Sequence, residues 1–270
     1  MVKVGNLMQP FEQVYKDNYS KLYTLAFRMT GKKEDAEDVL QNAFINAFKA
    51  YDDFRQESSA FTWLYKIVLN ESKKYMMQMA KMPVDQYAEA NNKTAAEIFQ
   101  YINSFGEVED EVLVNNSKET CLQLFMNCMP WRYRVVFTLR VILQFSDKET
   151  AEMLDMSESS VKTNLHRARK MIKESMEGKC SLINENAPCK CSTWVKYAIE
   201  TNREHIIKDI AVIKNNEKRI ADRFSREVKE LVKISELYNT RIVPPSFDMF
   251  KLSIEKIMKE GRMHILRAES

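Results

Sequence analysis

The 270-residue chain is predicted to be all-α: two small helical domains followed by a helical C-terminal extension. Three observations lead there. Only 5 Gly and 6 Pro interrupt a sequence rich in Met, Leu, Lys and Glu, which suits two or three helical domains and leaves little or no sheet. In EDAEDVLQNAFINAFKAY, apolar residues Ala36, Val39, Leu40, Ala43, Phe44, Ala47, Phe48 and Tyr51 follow helical i, i+3, i+4 spacing over four turns. From Ser146 to Lys173 the chain reads as two short helices around a tight turn, the second strongly basic. The formal charge of +3 is close to neutral, so contact with a polyanion must come from local patches. No stretch approaches about 18 uninterrupted apolar residues and MVKVGNLMQP lacks an apolar signal core, so a cytosolic protein without membrane insertion is expected. Five Cys, an odd number in a reducing compartment, argue against a disulfide framework.

The first helix is expected over roughly residues 11–29, closed by Gly31. On the second, Asp38, Gln41, Asn42, Ile45 and Lys49 lie outside the buried stripe, and Ile45 is out of place on that polar face. An aliphatic residue flanked by amides and a carboxylate suits a protein-docking surface, although single exposed apolar residues are common. The third helix begins near Ser58 and Ser59; Phe61, Leu64, Tyr65, Ile67, Val68, Ser72 and Tyr75 share its core side. Opposite them stand Trp63, Lys66, Asn70, Lys73, Lys74 and Met77, an aromatic ring within a row of cations and an amide. That combination serves base stacking with phosphate contact, or equally a Trp packed on a neighbouring helix beside a solvated Lys row.

Residues 79 to about 117 read as a linker with a short helix near residues 94–104 and an acidic run, Glu107, Glu109, Asp110 and Glu111. Beyond it, Ser157 is a good N-cap, and Val161, Leu165, Ala168 and Ile172 form a buried stripe that the small Ala151 lets the preceding helix cross closely. Lys162, Thr163, His166, Arg167, Arg169 and Lys170 remain outside, as a helix lying in a DNA major groove requires; a solvated charged face is the bland alternative.

From Gly178 onward Cys180, Cys189 and Cys191 fall within twelve residues. They offer three legs of a tetrahedral zinc site, with His205 or a thiol from elsewhere as the fourth; a redox pair and simply packed thiols are the alternatives. Cys121 and Cys128 read as small core residues. A long helix is expected over about residues 201–238, with Ile206, Ile210, Ile213, Ile220 and Phe224 at near-heptad spacing. After Pro244 and Pro245 a last helix, about residues 246–260, turns Phe250, Ile254, Ile257 and Met258 inward. An apolar stripe without a core of its own needs a covering surface: the rest of the chain, a second protomer or a regulator.

Taken together, AEDVLQNAFINAFKAYDDF, FTWLYKIVLN and MPWRYRVVFTLR…AEMLDMSESSVKTNLHRARK resemble the extracytoplasmic-function (ECF) group of bacterial RNA polymerase sigma factors. The resemblance covers roughly residues 10–78 and 118–177, with a linker at 79–117 and an extension at 178–270 outside it. It implies a non-enzymatic transcription initiation factor, without cofactors, that binds core RNA polymerase and promoter DNA. An anti-sigma factor, or self-inhibition by the extension, is the expected control. By the same resemblance Asp38, Gln41, Asn42 and Ile45 dock on the polymerase clamp helices. Trp63, Lys66, Asn70, Lys73 and Lys74 read and melt the minus-ten element; Ser160, Lys162, Thr163, His166, Arg167 and Lys170 read the minus-thirty-five element. The acidic run of the linker would imitate nucleic-acid phosphates inside the polymerase. Asn42 stands where the family usually has Glu, Asp155 where the turn usually has Gly, and Asn164 and Lys74 where Arg and Asp are commoner, so promoter preference does not transfer. A free-standing helix-turn-helix regulator is the rival reading, but it leaves the second helix and the Trp63 face without a role.

Overall fold

The computed structural model describes residues 2–51, 59–76, 83–201, 212–213 and 241–259. The first three helices form one unit. Helix α1 (Val2–Thr30) ends at Gly31, whose φ of +87° suits glycine and whose N–H bonds to the Phe27 carbonyl at 2.8 Å. A Cβ at Gly31 would lie 2.7 Å from the Asn127 side chain, so the turn also admits close approach of a distant helix. Helix α2 (Lys33–Ala50) buries the predicted Ala36, Val39, Leu40, Ala43, Phe44 and Ala47. Helix α3 (Ala60–Tyr75) starts where Ser59 Oγ accepts the Thr62 N–H at 3.1 Å.

Helices α4 (Pro83–Ala90) and α5 (Ala95–Asn103) follow, α5 opening on a capping box between Thr94 and Glu97. Helix α6 (Glu111–Cys128) is capped by Asp110, whose carboxylate accepts the N–H groups of Val112 and Leu113 at 3.0 Å each. Helix α7 (Trp131–Phe137) runs on into a π-helical stretch, Thr138–Ile142. The pair α8 (Asp147–Leu154) and α9 (Glu158–Met176) has the predicted helix-turn-helix chemistry. Ser146 and Glu149 form a capping box, Asp155 adopts the left-handed conformation (φ 51°, ψ 48°), and Ser157 Oγ accepts the Ser160 N–H at 3.2 Å. Helices α10 (Cys191–Glu200) and α11 (Phe247–Lys259) belong to the extension.

The chain is all-α except for two two-residue strands among the described residues, β1 (Val212–Ile213) and β2 (Arg241–Ile242), paired antiparallel with Val212 opposite Ile242. Ile213, expected on the stripe of the long helix, is extended together with Val212, as suits two β-branched residues. The rest of that helix, His205, Met77 and the end of the chain from Glu260 lie outside the described residues.

One apolar core runs from α1, α2 and α3 through α6, α7, α8 and α9 and on to Phe250 and Ile254 of α11. The polar linker expected over 79–117 is helical in part and clasped by the extension: Ala88, Ile98 and Ile102 pack with Tyr197 of α10. Two of its four acidic residues are engaged within the chain. Glu107 accepts from Lys190 Nζ at 2.6 Å and Ser192 Oγ at 2.8 Å, and Asp110 is a helix cap, so neither carboxylate stands free as a phosphate mimic.

Candidate functional site

On α2, Asp38 is exposed, while Gln41, Asn42 and Ile45 are half-buried. Helix α11 lies against this side of the molecule. Phe250, 5 % exposed, enters an aromatic nest in which Tyr15 stacks at 5.8 Å, Tyr19 approaches at 5.1 Å and Phe44 meets it edge-on at 5.8 Å. Two polar contacts fix the register: Gln41 Nε2 donates to Ser253 Oγ at 3.3 Å, and Lys251 Nζ pairs with Glu12 at 2.7 Å. Asn42 turns instead toward α3, donating to the Tyr75 hydroxyl at 3.2 Å. The four predicted docking residues therefore diverge, and Gln41 is already held by the extension.

On α3, Asn70, Lys73 and Lys74 are exposed as predicted. Trp63 is half-buried, 6.4 Å from the Tyr51 ring and packed against the core. Lys66 reaches across to the helix-turn-helix, its Nζ 2.5 Å from Asp155 Oδ1, and Lys73 Nζ sits 5.5 Å above the Trp131 ring. Lys66, Asn70 and Lys73 thus line a cleft whose other wall is Trp131, Arg132, Asp155, Ser160 and Asn164. Lys74 pairs with Glu71 of its own helix at 2.7 Å.

The outer face of α9 carries Lys162, Thr163, His166, Arg167 and Lys170 exposed, with Ser160 half-buried at its start. The stripe Val161, Leu165, Ala168 and Ile172 is buried, which fixes the cationic face outward. Thr163 returns its hydroxyl to the Ser159 carbonyl at 2.9 Å, and Lys162 and Lys170 have only loose carboxylate neighbours at 4.0 and 3.7 Å.

What holds α3 against the helix-turn-helix could not be read from the sequence. Arg28, fully buried, pairs with Glu119 at 3.0 Å and donates to Gln123 at 3.2 Å, joining α1 to α6. Burial raises the Glu119 carboxyl pKa, opposed by the Arg28 guanidinium. Arg134, also fully buried, donates to the carbonyls of Met29, Asn127 and Met129; burial lowers its pKa to about 10. Phe145, presented by the turn after the π-helical stretch, wedges edge-on between Phe61 at 5.1 Å and Tyr65 at 5.0 Å. A buried arginine must find a partner, and only the packing shows that Arg28 and Arg134 are buried.

Cys180, Cys189 and Cys191 come together, and Cys121, read from sequence as plain core, joins them: all four line one apolar cavity of about 200 Å³ between α6 and α10. Cys128 does not line it. Burial pushes the Cys189 thiol up to about 11 and Cys191 up to about 12. Among the described residues no three Cys, His, Asp or Glu side chains are yet gathered closely enough to grip a metal, and no helix is long and apolar enough to cross a membrane.

A helical unit with a cation-bearing third helix, joined to a helix-turn-helix unit with an outward basic helix, defines a two-domain protein of the DNA-binding class. The family described as Sigma-70 region 2 matches residues 14–81, and Sigma-70, region 4 matches residues 119–172. The chain is 30% identical over 165 residues to the ECF RNA polymerase sigma factor SigW of Bacillus subtilis (strain 168), covering 60% of this chain and 85% of that one. It is 27% identical over 145 residues to the ECF RNA polymerase sigma-E factor of Haemophilus influenzae, covering 54% and 76%. Among solved structures, CnrH in complex with the cytosolic domain of CnrY matches with a TM-score of 0.42 at 21% identity, over 63% of this chain and 88% of that one. The chain belongs to the ECF RNA polymerase sigma factors, transcription initiation factors that direct RNA polymerase to promoters.

Proposed function

We propose that this sigma factor rests in a closed form that masks its own working surfaces, and that initiation requires it to open. The carrying observation is the contact between Lys66 of α3 and Asp155 of the helix-turn-helix at 2.5 Å. Elements named for positions minus thirty-five and minus ten are about 25 base pairs apart, roughly 85 Å along straight B-DNA at about 3.4 Å per step. Two domains touching through a salt bridge cannot each sit on its own element at that separation.

In the open form, the α3 face of Lys66, Asn70, Lys73 and Lys74 takes the minus-ten element. Trp63, half-buried at rest, serves there once the seam around Tyr51 and α3 loosens. Ser160, Lys162, Thr163, His166, Arg167 and Lys170 of α9 take the minus-thirty-five element, the cations gaining affinity by counterion release. Asp38, Gln41, Asn42 and Ile45 meet the polymerase clamp, and α11 competes for Gln41 through Ser253. The extension thus acts as a built-in restraint, the role a separate anti-sigma factor would otherwise take. The protein is a non-catalytic specificity subunit working in the cytoplasm. Its domains follow the elements: 1–78, linker 79–117, 118–177 and extension 178–270.

A zero-length carbodiimide crosslink tests the closed form. It joins a Lys amine to a carboxylate only when the two are in contact, so Lys66 and Asp155 should couple in the free protein. Core polymerase and promoter should suppress the coupling, and the isolated crosslinked species should fail to initiate. Full initiation by the crosslinked species would refute the proposal.

A further inference from the structure

Four separate elements wall the apolar cavity of about 200 Å³: the linker through Phe99, α6 through Phe125, the end of α9 through Met176, and α10 through Trp194 and Tyr197. Voids of this size are few in close-packed protein, since every lining atom loses dispersion contacts on its open side. Polar contacts at the perimeter set these walls in place. Glu107 of the linker accepts from Lys190 and Ser192 at the start of α10, and Asn103 Nδ2 donates to the Pro188 carbonyl at 2.9 Å. The loop before α10 is fixed by Ser181 N–H to the Cys189 carbonyl at 3.0 Å and Cys189 N–H to the Lys179 carbonyl at 2.9 Å. Water finds few partners inside. The Thr120 hydroxyl is engaged by the Asn116 carbonyl at 2.9 Å and the Trp194 indole N–H by Cys189 Sγ at 3.3 Å, whereas a buried water needs about two to four polar partners. The charged residues of the lining, half-buried Asp85 and exposed Lys179, are of opposite sign, so the cavity selects no net charge.

We propose that this cavity is a binding site for a neutral, bicyclic aromatic small molecule of about the size of indole or naphthalene. An apolar cavity of about 150 Å³ holds a benzene ring, so about 200 Å³ admits a second fused ring. The lining selects for aromaticity. Phe99, Phe125, Trp194 and Tyr197 offer ring faces and edges, with Trp194 and Tyr197 already edge-on to each other at 6.1 Å. Five sulfurs, of Cys121, Met176, Cys180, Cys189 and Cys191, line the same space, and sulfur makes favourable contacts at the edge of an aromatic ring. A saturated molecule of the same bulk forgoes both kinds of contact. One bound molecule touches the linker, the promoter-reading domain and the extension together. None of the lining residues belongs to the first domain, so the site does not depend on contact between the two DNA-binding domains.

Calorimetric titration of the full-length chain with indole should show one site with a dissociation constant on the order of 10–100 µM. In methyl carbon-13 spectra the ring-current shifts should centre on Val84, Leu122, Leu124 and Leu182, which line the cavity. 1-Octanol, saturated and with a like number of non-hydrogen atoms, should bind at least about fivefold more weakly. Cys121→Leu on α6 and Ala198→Leu on α10 each place added bulk in the void, and each should weaken indole binding by at least about tenfold. Circular dichroism checks that a variant is folded, and two fillers on different helices keep the test open if one of them is not. Cys128→Ser, outside the cavity, should bind indole as the wild type does. A full-length chain that takes up no indole at about ten times the upper end of that range would overturn the site. So would undiminished binding in the folded fillers, and equal affinity for 1-octanol would overturn the aromatic class of ligand.

Discussion

Replacing Phe250 with Ala removes the ring that seats α11 on the first domain. The side chain is 5 % exposed and meets Tyr15, Tyr19 and Phe44 at centroid distances of 5.8, 5.1 and 5.8 Å. Truncating a buried Phe costs at least about 3 kcal/mol, and here most of that loss falls on the closed form, because the ring has no such nest once α11 leaves. At about 1.4 kcal/mol per tenfold, the open fraction should rise by up to about 100-fold, limited only when the open form becomes the major one. Apparent affinity for core polymerase scales with the competent fraction, so it should strengthen by one to two orders of magnitude. The assay is titration of immobilised core polymerase with the full-length chain, without DNA. Met249→Ala on the exposed side of the same helix, 64% exposed, serves as the control and should change nothing. If hydrogen exchange shows α11 released in Phe250→Ala while polymerase affinity stays within about twofold of wild type, α11 does not guard the docking surface.

Removing Asp38 and Gln41 together should weaken core-polymerase binding with little change in circular dichroism, because neither belongs to the buried stripe of α2; unaltered affinity would place the clamp contact elsewhere. Arg167→Ala and Lys162→Ala should each lower the salt slope of promoter binding by about one unit, measured as log K against log salt. Arg28→Met leaves the buried Glu119 without its cation, so it should destabilise the closed form by about 3–5 kcal/mol and shift thermal unfolding accordingly; a small loss would mean the carboxyl simply protonates, in the direction its raised pKa already takes. Trp63→Ala should reduce both thermal stability and promoter opening by permanganate footprinting, and a loss of stability alone would confine the side chain to packing.

Much of the fold was legible because its signals are local. Helix ends are decided by single side chains acting on the neighbouring turn: Ser59, Ser146 and Ser157 as N-caps, Gly31 as a stop, Asp155 as the left-handed turn residue. Apolar spacing on α2 and α9 fixed which residues are buried and therefore which cations of α9 face outward. Periodicity states that a face is covered without stating by what. Trp63 illustrates this: the helical wheel put it among cations, and the meeting of α3 with the Tyr51 region buried half of it. Local reasoning also failed at Val212 and Ile213, where pairing with a distant segment overrode a helical count.

By itself, then, the sequence determined the caps of α3, α8 and α9, the buried stripes of α2 and α9 and the outward basic face of α9, since each depends on residues within a few turns of one another. The tertiary structure alone decided that Arg28 meets Glu119 across 91 residues, that Gln41 meets Ser253 across 212, that Lys66 meets Asp155, and that Cys121 joins the three thiols of the extension. Those pairings follow from which apolar faces find each other as the core closes, a property of the whole chain's packing that no local run of residues encodes.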